Sequence, residues 1–218
     1  MPARGLFITV EGGEGVGKST NIALLESYLS DNGVDVLVTR EPGGTGLGED
    51  VRTLLLDARE EVVADMAELL LIFAARAQHI EEVIRPALAK GTWILCDRFT
   101  DATFAYQGGG RGMPLDDIAR LESLVQGELR PDYTLLLDAP VETGMGRARE
   151  RGELDRIEQE THAFFCRVRE QYLALAEKGS GRYRILDASL PLEQVQEALL
   201  KVAAELLKCW QTRHSEGA

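Results

Sequence analysis

Residues 12–19 read Gly-Gly-Glu-Gly-Val-Gly-Lys-Ser, and this stretch fits the phosphate-binding pattern G-x-x-x-x-G-K-S/T. The apolar run before it, residues 6–10, predicts a strand, and the pattern from residue 18 onward predicts a helix. The glycines therefore form a turn from strand to helix, where the chain can adopt conformations closed to other residues and point several backbone N–H groups at one phosphate. The sequence thus predicts a P-loop at the start of an α/β fold.

The chemistry of this loop assigns roles to its last residues. Lys18 would reach the β and γ phosphates of a nucleoside triphosphate, and Ser19 would place its hydroxyl on Mg²⁺. The N-terminus of the following helix adds a partial positive charge. The predicted nucleotide-binding stretch comprises Glu11, Gly12, Gly13, Glu14, Gly15, Val16, Gly17, Lys18, Ser19 and Thr20.

Short apolar runs alternate with longer helical patterns along the whole chain, which predicts βα units and a parallel sheet. Because these runs are almost continuously apolar, we expect the strands to be buried on both faces. The predicted strands are residues 6–10, 36–39, 93–97, 133–138 and 183–187. The predicted helices are residues 18–31, 49–56, 65–89, 116–129, 141–151, 155–178 and 192–210. The fold class is therefore α/β, with a five-stranded parallel sheet flanked by helices.

Composition and charge exclude several classes of protein. In the 218-residue chain, 24 Lys and Arg stand against 36 Asp and Glu, for a formal net charge of −12, which argues against a broad surface for nucleic acid. No apolar run approaches the ~20 residues that a membrane span needs. The N-terminus lacks the apolar core of a signal peptide, so we expect a cytoplasmic protein. No repeat or linker divides the chain, which predicts a single domain over residues 1–218.

A P-loop indicates a nucleoside triphosphate but not the reaction. One alternative is a regulatory nucleotide switch, and the other is a kinase that moves the γ-phosphoryl group to a small acceptor. The switch would need a guanine-selecting Asn-Lys-x-Asp segment, but the only asparagines, Asn21 and Asn32, do not begin one. The sequence therefore favours the kinase.

Charged side chains follow two of the predicted strands. Asp97 and Arg98 end the third strand, at the edge of the sheet where α/β proteins bind ligands. Asp97 is placed to hold Mg²⁺ or its waters and Arg98 to bind an acceptor phosphate, although an ordinary ion pair is the alternative. Arg40 ends the second strand and could point at a phosphate from the same edge.

One helix carries an aromatic ring and a guanidinium on the same face, because Phe73 and Arg76 are three residues apart. Together they could stack on a base and donate to its carbonyl edge, although a core Phe beside a surface Arg is the alternative. His79 on the same helix could approach a partner subunit or lie at the surface, and we expect the surface.

An arginine-rich segment follows the fourth strand. Four arginines lie between residues 143 and 156: Arg147, Arg149, Arg151 and Arg156. Gly144, Gly146 and Gly152 flank them and would let the segment move. Beside a P-loop, this pattern predicts a mobile lid whose Arg147 and Arg151 stabilise the transferring phosphoryl group. A solvated helix with Arg–Glu pairs is the alternative.

Taken together, these residues resemble the bacterial thymidylate kinase family over about residues 6–210. The segments that carry the resemblance are residues 11–20, 39–45, 73–76, 97–98, 106–112 and 152–160. The resemblance implies the three-layer fold of nucleoside monophosphate kinases, usually as a homodimer packed through helices. It also implies the reaction ATP + dTMP → ADP + dTDP with Mg²⁺, a step of dTTP biosynthesis.

The resemblance also implies an acceptor site, formed by Arg40, Phe73, Arg76, Arg98, Thr103, Tyr106 and Gln107. Arg40 and Arg98 would hold the dTMP phosphate, while Arg76 and Thr103 would contact the thymine. Glu14 would lie near the deoxyribose 3′-hydroxyl or the metal, and the lid would supply the cation that some relatives place in the P-loop. The family's stacking aromatic aligns with Ile72, so either Phe73 rotates to stack or the base packs on aliphatic surface. The predicted catalytic residues are Glu14, Lys18, Arg98, Arg147 and Arg151.

Overall fold

The computed structural model describes residues 4–57, 61–152, 155–179 and 181–215, with only the backbone described for Arg151 and residues 213–215. Its strands are β1 (Phe7–Glu11), β2 (Val36–Arg40), β3 (Trp93–Asp97), β4 (Tyr133–Asp138) and β5 (Tyr183–Asp187). They form a five-stranded parallel sheet in the order β2-β3-β1-β4-β5. This confirms the predicted fold class.

Helices connect these parallel strands. They are α1 (Lys18–Asp31), α2 (Gly46–Leu56), α3 (Asp65–His79), α4 (Arg85–Ala89), α5 (Thr100–Thr103), α6 (Leu115–Gln126), α7 (Val141–Arg151), α8 (His162–Lys178) and α9 (Leu192–Ser215). Two π-helical segments, Ile80–Ile84 and Phe104–Gly110, join α3 to α4 and extend α5. In the described part of the chain, none of the helices has the length and apolar character to cross a membrane.

Alternate side chains of β1 point to opposite faces of the sheet, and each face packs against a layer of helices. Ile8 and Val10 pack into the core cluster that includes residues of α1 and α9. Phe7 points to the other face, where it packs with Ile80 and Ile84 of the first π-helical segment. The sheet is thus the middle of three layers, and its carboxyl edge is left for loops and ligands.

The prediction that all strands are buried on both faces is wrong for the two edge strands. β1, β3 and β4 are buried almost throughout, but Val38 of β2 is 36% exposed and Ile185 of β5 is 55% exposed. An apolar run does not reveal where a strand stands in the sheet, and edge strands have a neighbour on one side only.

Two predicted helices differ most from the observed ones, while others differ by a few residues at their ends. The long helix at residues 65–89 contains a π-helical turn just before Pro86, which has no N–H to donate to the helical ladder. The helix at residues 155–178 begins instead at His162, after Thr161 caps the N–H of Phe164. Asp155 caps a separate short turn through the N–H groups of Ile157 and Glu158.

Candidate active site

The P-loop joins β1 to α1 as predicted and surrounds the side chain of Lys18. Lys18 is 9% exposed, and its Nζ donates to the carbonyl oxygens of Gly13 at 2.8 Å and Gly12 at 3.3 Å. Burial lowers the pKa of Lys18, and the positive charge of Arg98 lowers it further. The ammonium group therefore lies within the loop, where phosphate oxygens of a nucleotide would be stronger partners than the two carbonyls.

The P-loop also packs tightly against α7. A Cβ added to Gly144 would lie 2.3 Å from the backbone oxygen of Glu14, and one added to Gly15 would lie 1.9 Å from the backbone oxygen of Gly144. Gly15 also has a φ of 64°, a conformation that favours glycine. Gly144, which the sequence suggested as a hinge, lies inside a helix, and its missing side chain allows this close approach.

Gly144→Ala is therefore expected to weaken ATP binding, because the added methyl group would displace the P-loop. We expect KM for ATP to rise about tenfold, the equivalent of ~1.4 kcal/mol. Gly146 in the same helix is the matched control, since a Cβ there meets nothing within 4 Å. Gly146→Ala should leave KM unchanged and raise the free energy of unfolding by about 0.5–1 kcal/mol. Equal KM values in the two variants would contradict this contact.

Arg98 stands between the P-loop and the next pocket. Among the non-glycine residues of the described chain it alone has a positive φ, 67°, a strained conformation that is common at functional sites. Its Nη2 donates to Glu14 Oε1 at 2.7 Å, and its Nη1 donates to Gly12 O at 2.9 Å. Its guanidinium lies 4.7 Å from the ring centroid of Tyr106, whose hydroxyl donates to the same Glu14 oxygen at 2.6 Å. Glu14 thereby connects the P-loop to this pocket.

A pocket opens beside Arg98. Its wall contains five of the seven residues predicted to bind dTMP, which are Arg76, Arg98, Thr103, Tyr106 and Gln107. Glu14 also lines it, so the P-loop and this acceptor pocket share one wall. The structure therefore brings a donor-phosphate loop and a candidate nucleoside pocket into contact.

Arg76 is fixed at the wall of the acceptor pocket and is 1% exposed. Its Nε donates to Glu41 Oε2 at 2.7 Å, and its Nη2 donates to Thr103 Oγ1 at 2.9 Å. The guanidinium lies 4.7 Å from the ring centroid of Phe73 and 5.1 Å from that of Phe99. Its Nη1 has no hydrogen-bond partner among the described residues, which leaves this donor for a ligand.

Tyr106 and Gln107 come from a π-helical segment that the periodicity of the sequence did not predict. A Cβ on Gly109 would lie 2.7 Å from the backbone oxygen of Arg167, so the glycines let this segment rest directly on α8. Gln107 Nε2 donates to Glu68 Oε1 at 2.9 Å, which fixes the amide at the pocket. Runs of glycine disfavour helix, which is why the local sequence did not predict this segment.

The structure does not bring Phe73 to the acceptor pocket. Phe73 follows Leu69 by one helical turn, and both pack on Ile118 of α6, which leaves Phe73 2% exposed. Ile72 and the ring of Phe99 line the pocket instead. Of the two alternatives left by the sequence, this geometry favours a base packed on Ile72.

Arg40 also lies outside the acceptor pocket. It lines a neighbouring groove with Ser19 and Asp97, and its Nη2 pairs with Glu49 Oε2 at 2.7 Å. In the same groove, Asp97 Oδ1 is buried and has no hydrogen-bond partner among the described residues. A carboxylate and a hydroxyl are ligands that Mg²⁺ prefers, so Asp97 and Ser19 fit the ion that the sequence predicts for them.

The predicted lid arginines are dispersed. Arg147 is exposed and donates from Nη1 to the backbone oxygen of Ala188 at 2.7 Å, beyond the end of β5. Arg156 lines the acceptor pocket, where it pairs with Glu68 and donates from Nε to Leu55 O at 2.7 Å. The side chain of Arg151 lies outside the described residues.

Similarity to known proteins identifies the family to which this chain belongs. The family model described as thymidylate kinase matches residues 10–199. A thymidylate kinase of Pseudomonas entomophila is 62% identical over 195 residues, which cover 89% of this chain and 93% of that protein. The chain belongs to the thymidylate kinase family. This confirms the predicted class of enzyme, a nucleoside monophosphate kinase, and gives no support to the regulatory switch.

Two further thymidylate kinases extend the likeness. That of Ectopseudomonas mendocina is 59% identical over 204 residues, 94% of this chain and 97% of that protein. The crystal structure of thymidylate kinase from Ehrlichia chaffeensis superposes with a TM-score of 0.73 at 34% identity, over 92% of this chain and 99% of that chain. The predicted three-layer fold of this family is thereby confirmed.

Several side chains that support the site of this thymidylate kinase family member were not predicted from the sequence. Glu11, predicted at the nucleotide, instead accepts the N–H of Phe99 at 2.7 Å and the hydroxyl of Tyr172 at 2.8 Å. Burial raises the pKa of Glu11 to about 8, and the negative charge of Asp101 contributes. His79, expected at the surface, is fully buried. Its position one turn after Arg76 is the signal that could have found it.

Proposed function

We propose that this chain phosphorylates dTMP to dTDP with ATP and Mg²⁺. The observation that carries the proposal is the shared wall: Glu14 of the P-loop accepts hydrogen bonds from both Arg98 and Tyr106 of the acceptor pocket. Two nucleotides placed in the two sites would meet phosphate to phosphate at Arg98. Membership of the thymidylate kinase family supports dTMP as the acceptor.

The chemistry needs no covalent intermediate with the protein. An oxygen of the acceptor phosphate attacks the γ-phosphorus in line, while the bond from that phosphorus to the β–γ bridging oxygen breaks and ADP leaves. Lys18 and Arg98 neutralise the charge that spreads over the equatorial oxygens. Asp97 and Ser19 are the residues that would hold Mg²⁺ or its waters, and the ion would supply positive charge against the charge that develops on the phosphates. Most of the catalysis then comes from positioning.

The acceptor pocket divides into two ends in this proposal. Arg98 binds the dTMP phosphate, and Arg76, Thr103 and Gln107 contact the thymine. Arg40 was predicted to bind the same phosphate, and it lies outside this pocket, in the groove that Ser19 and Asp97 also line. It could reach the phosphate after releasing Glu49.

We also propose that the segment around residues 143–156 closes over the reacting phosphates and that Arg151 and Arg147 contribute charge there. Arg151→Ala should lower kcat about a hundredfold while changing the Kd of dTMP little, because the arginine acts on charge that develops during transfer. Steady-state kinetics and equilibrium titration with dTMP measure the two quantities. Arg120→Ala, at an exposed residue of α6 that pairs with Asp117, is the control. An unchanged kcat in Arg151→Ala would contradict the lid.

We also propose that this chain forms a homodimer in the cytoplasm. Large apolar side chains on two helices are exposed in the single chain, with Leu70 of α3 at 50% and Leu124 of α6 at 81%. Packing of these helices against a second copy would remove them from water. The mass in solution, measured by light scattering, tests the dimer.

A coupled assay tests the reaction itself. ATP and a panel of nucleoside monophosphates, namely dTMP, dUMP, AMP, CMP and GMP, are each supplied at equal concentration, and ADP release is followed. We expect dTMP to be phosphorylated with little turnover of AMP, CMP or GMP. A strong preference for one of these three would keep the kinase and overturn the acceptor.

A further inference from the structure

His79 lies in a buried chain of hydrogen bonds behind the acceptor pocket. Its ring is fully buried at the end of α3, with Nδ1 2.8 Å from Glu41 Oε1 and Nε2 2.7 Å from Thr39 Oγ1. A carboxylate only accepts, so Nδ1 carries the hydrogen of the first bond, and Nε2 shares the second with the hydroxyl of Thr39. Both ring nitrogens are therefore occupied, and the ring cannot rotate without breaking a bond.

The buried hydrogen bonds continue from His79 to Arg76 through Glu41. Glu41 is 4% exposed and uses its second oxygen, Oε2, to accept from Arg76 Nε at 2.7 Å. Thr103 accepts from Nη2, so two of the three guanidinium nitrogens are held by side chains that are themselves buried. Only Nη1 is left without a partner among the described residues.

The turn after β2 covers the same series of hydrogen bonds. A Cβ on Gly44, whose φ is +78°, would lie 2.6 Å from both His79 Nε2 and Thr39 Oγ1. This turn therefore passes directly over the histidine, and no room remains there for the ring to move. His79 does not line the acceptor pocket, whereas Glu41 and Arg76 do.

We propose that His79 is a positioning residue for acceptor recognition: it orients Glu41, and Glu41 orients Arg76 so that Nη1 is presented to the base of the acceptor. The inference rests on the proposed function, since it takes Arg76 as the residue that contacts the base. His79 touches no substrate and acts only through Glu41. Its loss therefore affects binding of the base more than it affects phosphoryl transfer or ATP binding.

A double-mutant cycle between His79 and Arg76 tests this route. His79→Leu removes both ring hydrogen bonds, and His79→Asn keeps an amide N–H near the position of Nδ1. We expect His79→Leu to raise KM for dTMP about tenfold, with kcat and KM for ATP within about twofold of the parent. His79→Asn should restore most of the loss. Gln78→Leu, at the exposed neighbour on the same helix, is the control and should change none of these values.

The Arg76→Met background separates positioning from general stability. If His79 acts through Arg76, His79→Leu should change KM for dTMP by less than about twofold when Arg76 is already Met. A full tenfold effect in that background, or equal increases in KM for dTMP and ATP, would overturn the positioning role and leave His79 a structural residue. If Arg76→Met alone leaves KM for dTMP unchanged, the contact between Arg76 and the base is wrong, and the positioning role is overturned together with that part of the proposed function.

Discussion

Lys18→Ala should lower kcat by about 10³-fold, one of the two largest effects expected from a single substitution here. Lys18 supplies the positive charge inside the P-loop, and its Nζ already lies within hydrogen-bond distance of the loop carbonyls of Gly12 and Gly13. Alanine would leave the P-loop with only its backbone N–H groups to contact the β and γ phosphates, and the charge that develops during transfer would lose one of its side-chain cations. Single-turnover measurement of ADP formation checks the result without interference from product release.

Lys201→Ala is the matched control for Lys18. Lys201 is an exposed lysine of α9 that pairs with Glu197, and its removal should leave kcat unchanged. The melting temperature of both variants shows whether the P-loop still folds. A Lys18→Ala variant that folds and keeps more than about a tenth of the parent kcat would contradict the role of Lys18.

Arg98→Ala should lower kcat/KM for dTMP by about 10³-fold, because Arg98 is placed to meet the acceptor phosphate and also holds Glu14. Arg98→Lys keeps the charge but loses the planar fork that binds a phosphate through two N–H groups, so we expect an intermediate loss. KM for ATP should change less than KM for dTMP. Steady-state kinetics with each substrate varied in turn measures the difference.

Arg98→Ala removes both the contact with the acceptor phosphate and the ion pair with Glu14, and the two effects must be separated. Without Arg98, Glu14 keeps the hydrogen bond from Tyr106 but loses its ion pair. Glu14→Gln removes the charge of Glu14 while Arg98 remains, and should cost less in kcat/KM for dTMP than Arg98→Ala does. Equal losses in the two variants would mean that the pair acts only as a structural link and not as a phosphate contact.

The features that depend only on residues adjacent in the chain could be predicted from the sequence. The P-loop could be predicted because its glycines, Lys18 and the flanking strand and helix are adjacent in the chain. Strands such as Trp93–Asp97 were predicted with their observed bounds, because their apolar runs are short and sharply ended. The position of Asp97 and Arg98 at the carboxyl edge followed directly from those strand ends.

The features that depend on contacts between distant segments could not be predicted in this way. Phe73 and Ile72 are both apolar and adjacent, and only the position of α6 decides which of them faces the core. His79 reads as a polar helix residue until Glu41 and Thr39, some 40 residues earlier, are placed against it. The glycines of the segment Phe104–Gly110 lie directly against α8 and α6, and these contacts cannot be read from the local sequence.

The central claim is that two nucleotides meet phosphate to phosphate at Arg98, and a crystal structure with ADP, Mg²⁺ and dTMP bound together tests it most directly. The account predicts the ADP phosphates in the loop of residues 12–19, the dTMP phosphate within hydrogen-bond distance of the Arg98 guanidinium, and the thymine beside Arg76. A dTMP bound outside the pocket formed by Arg76, Arg98 and Tyr106, with ADP in the P-loop, would contradict it.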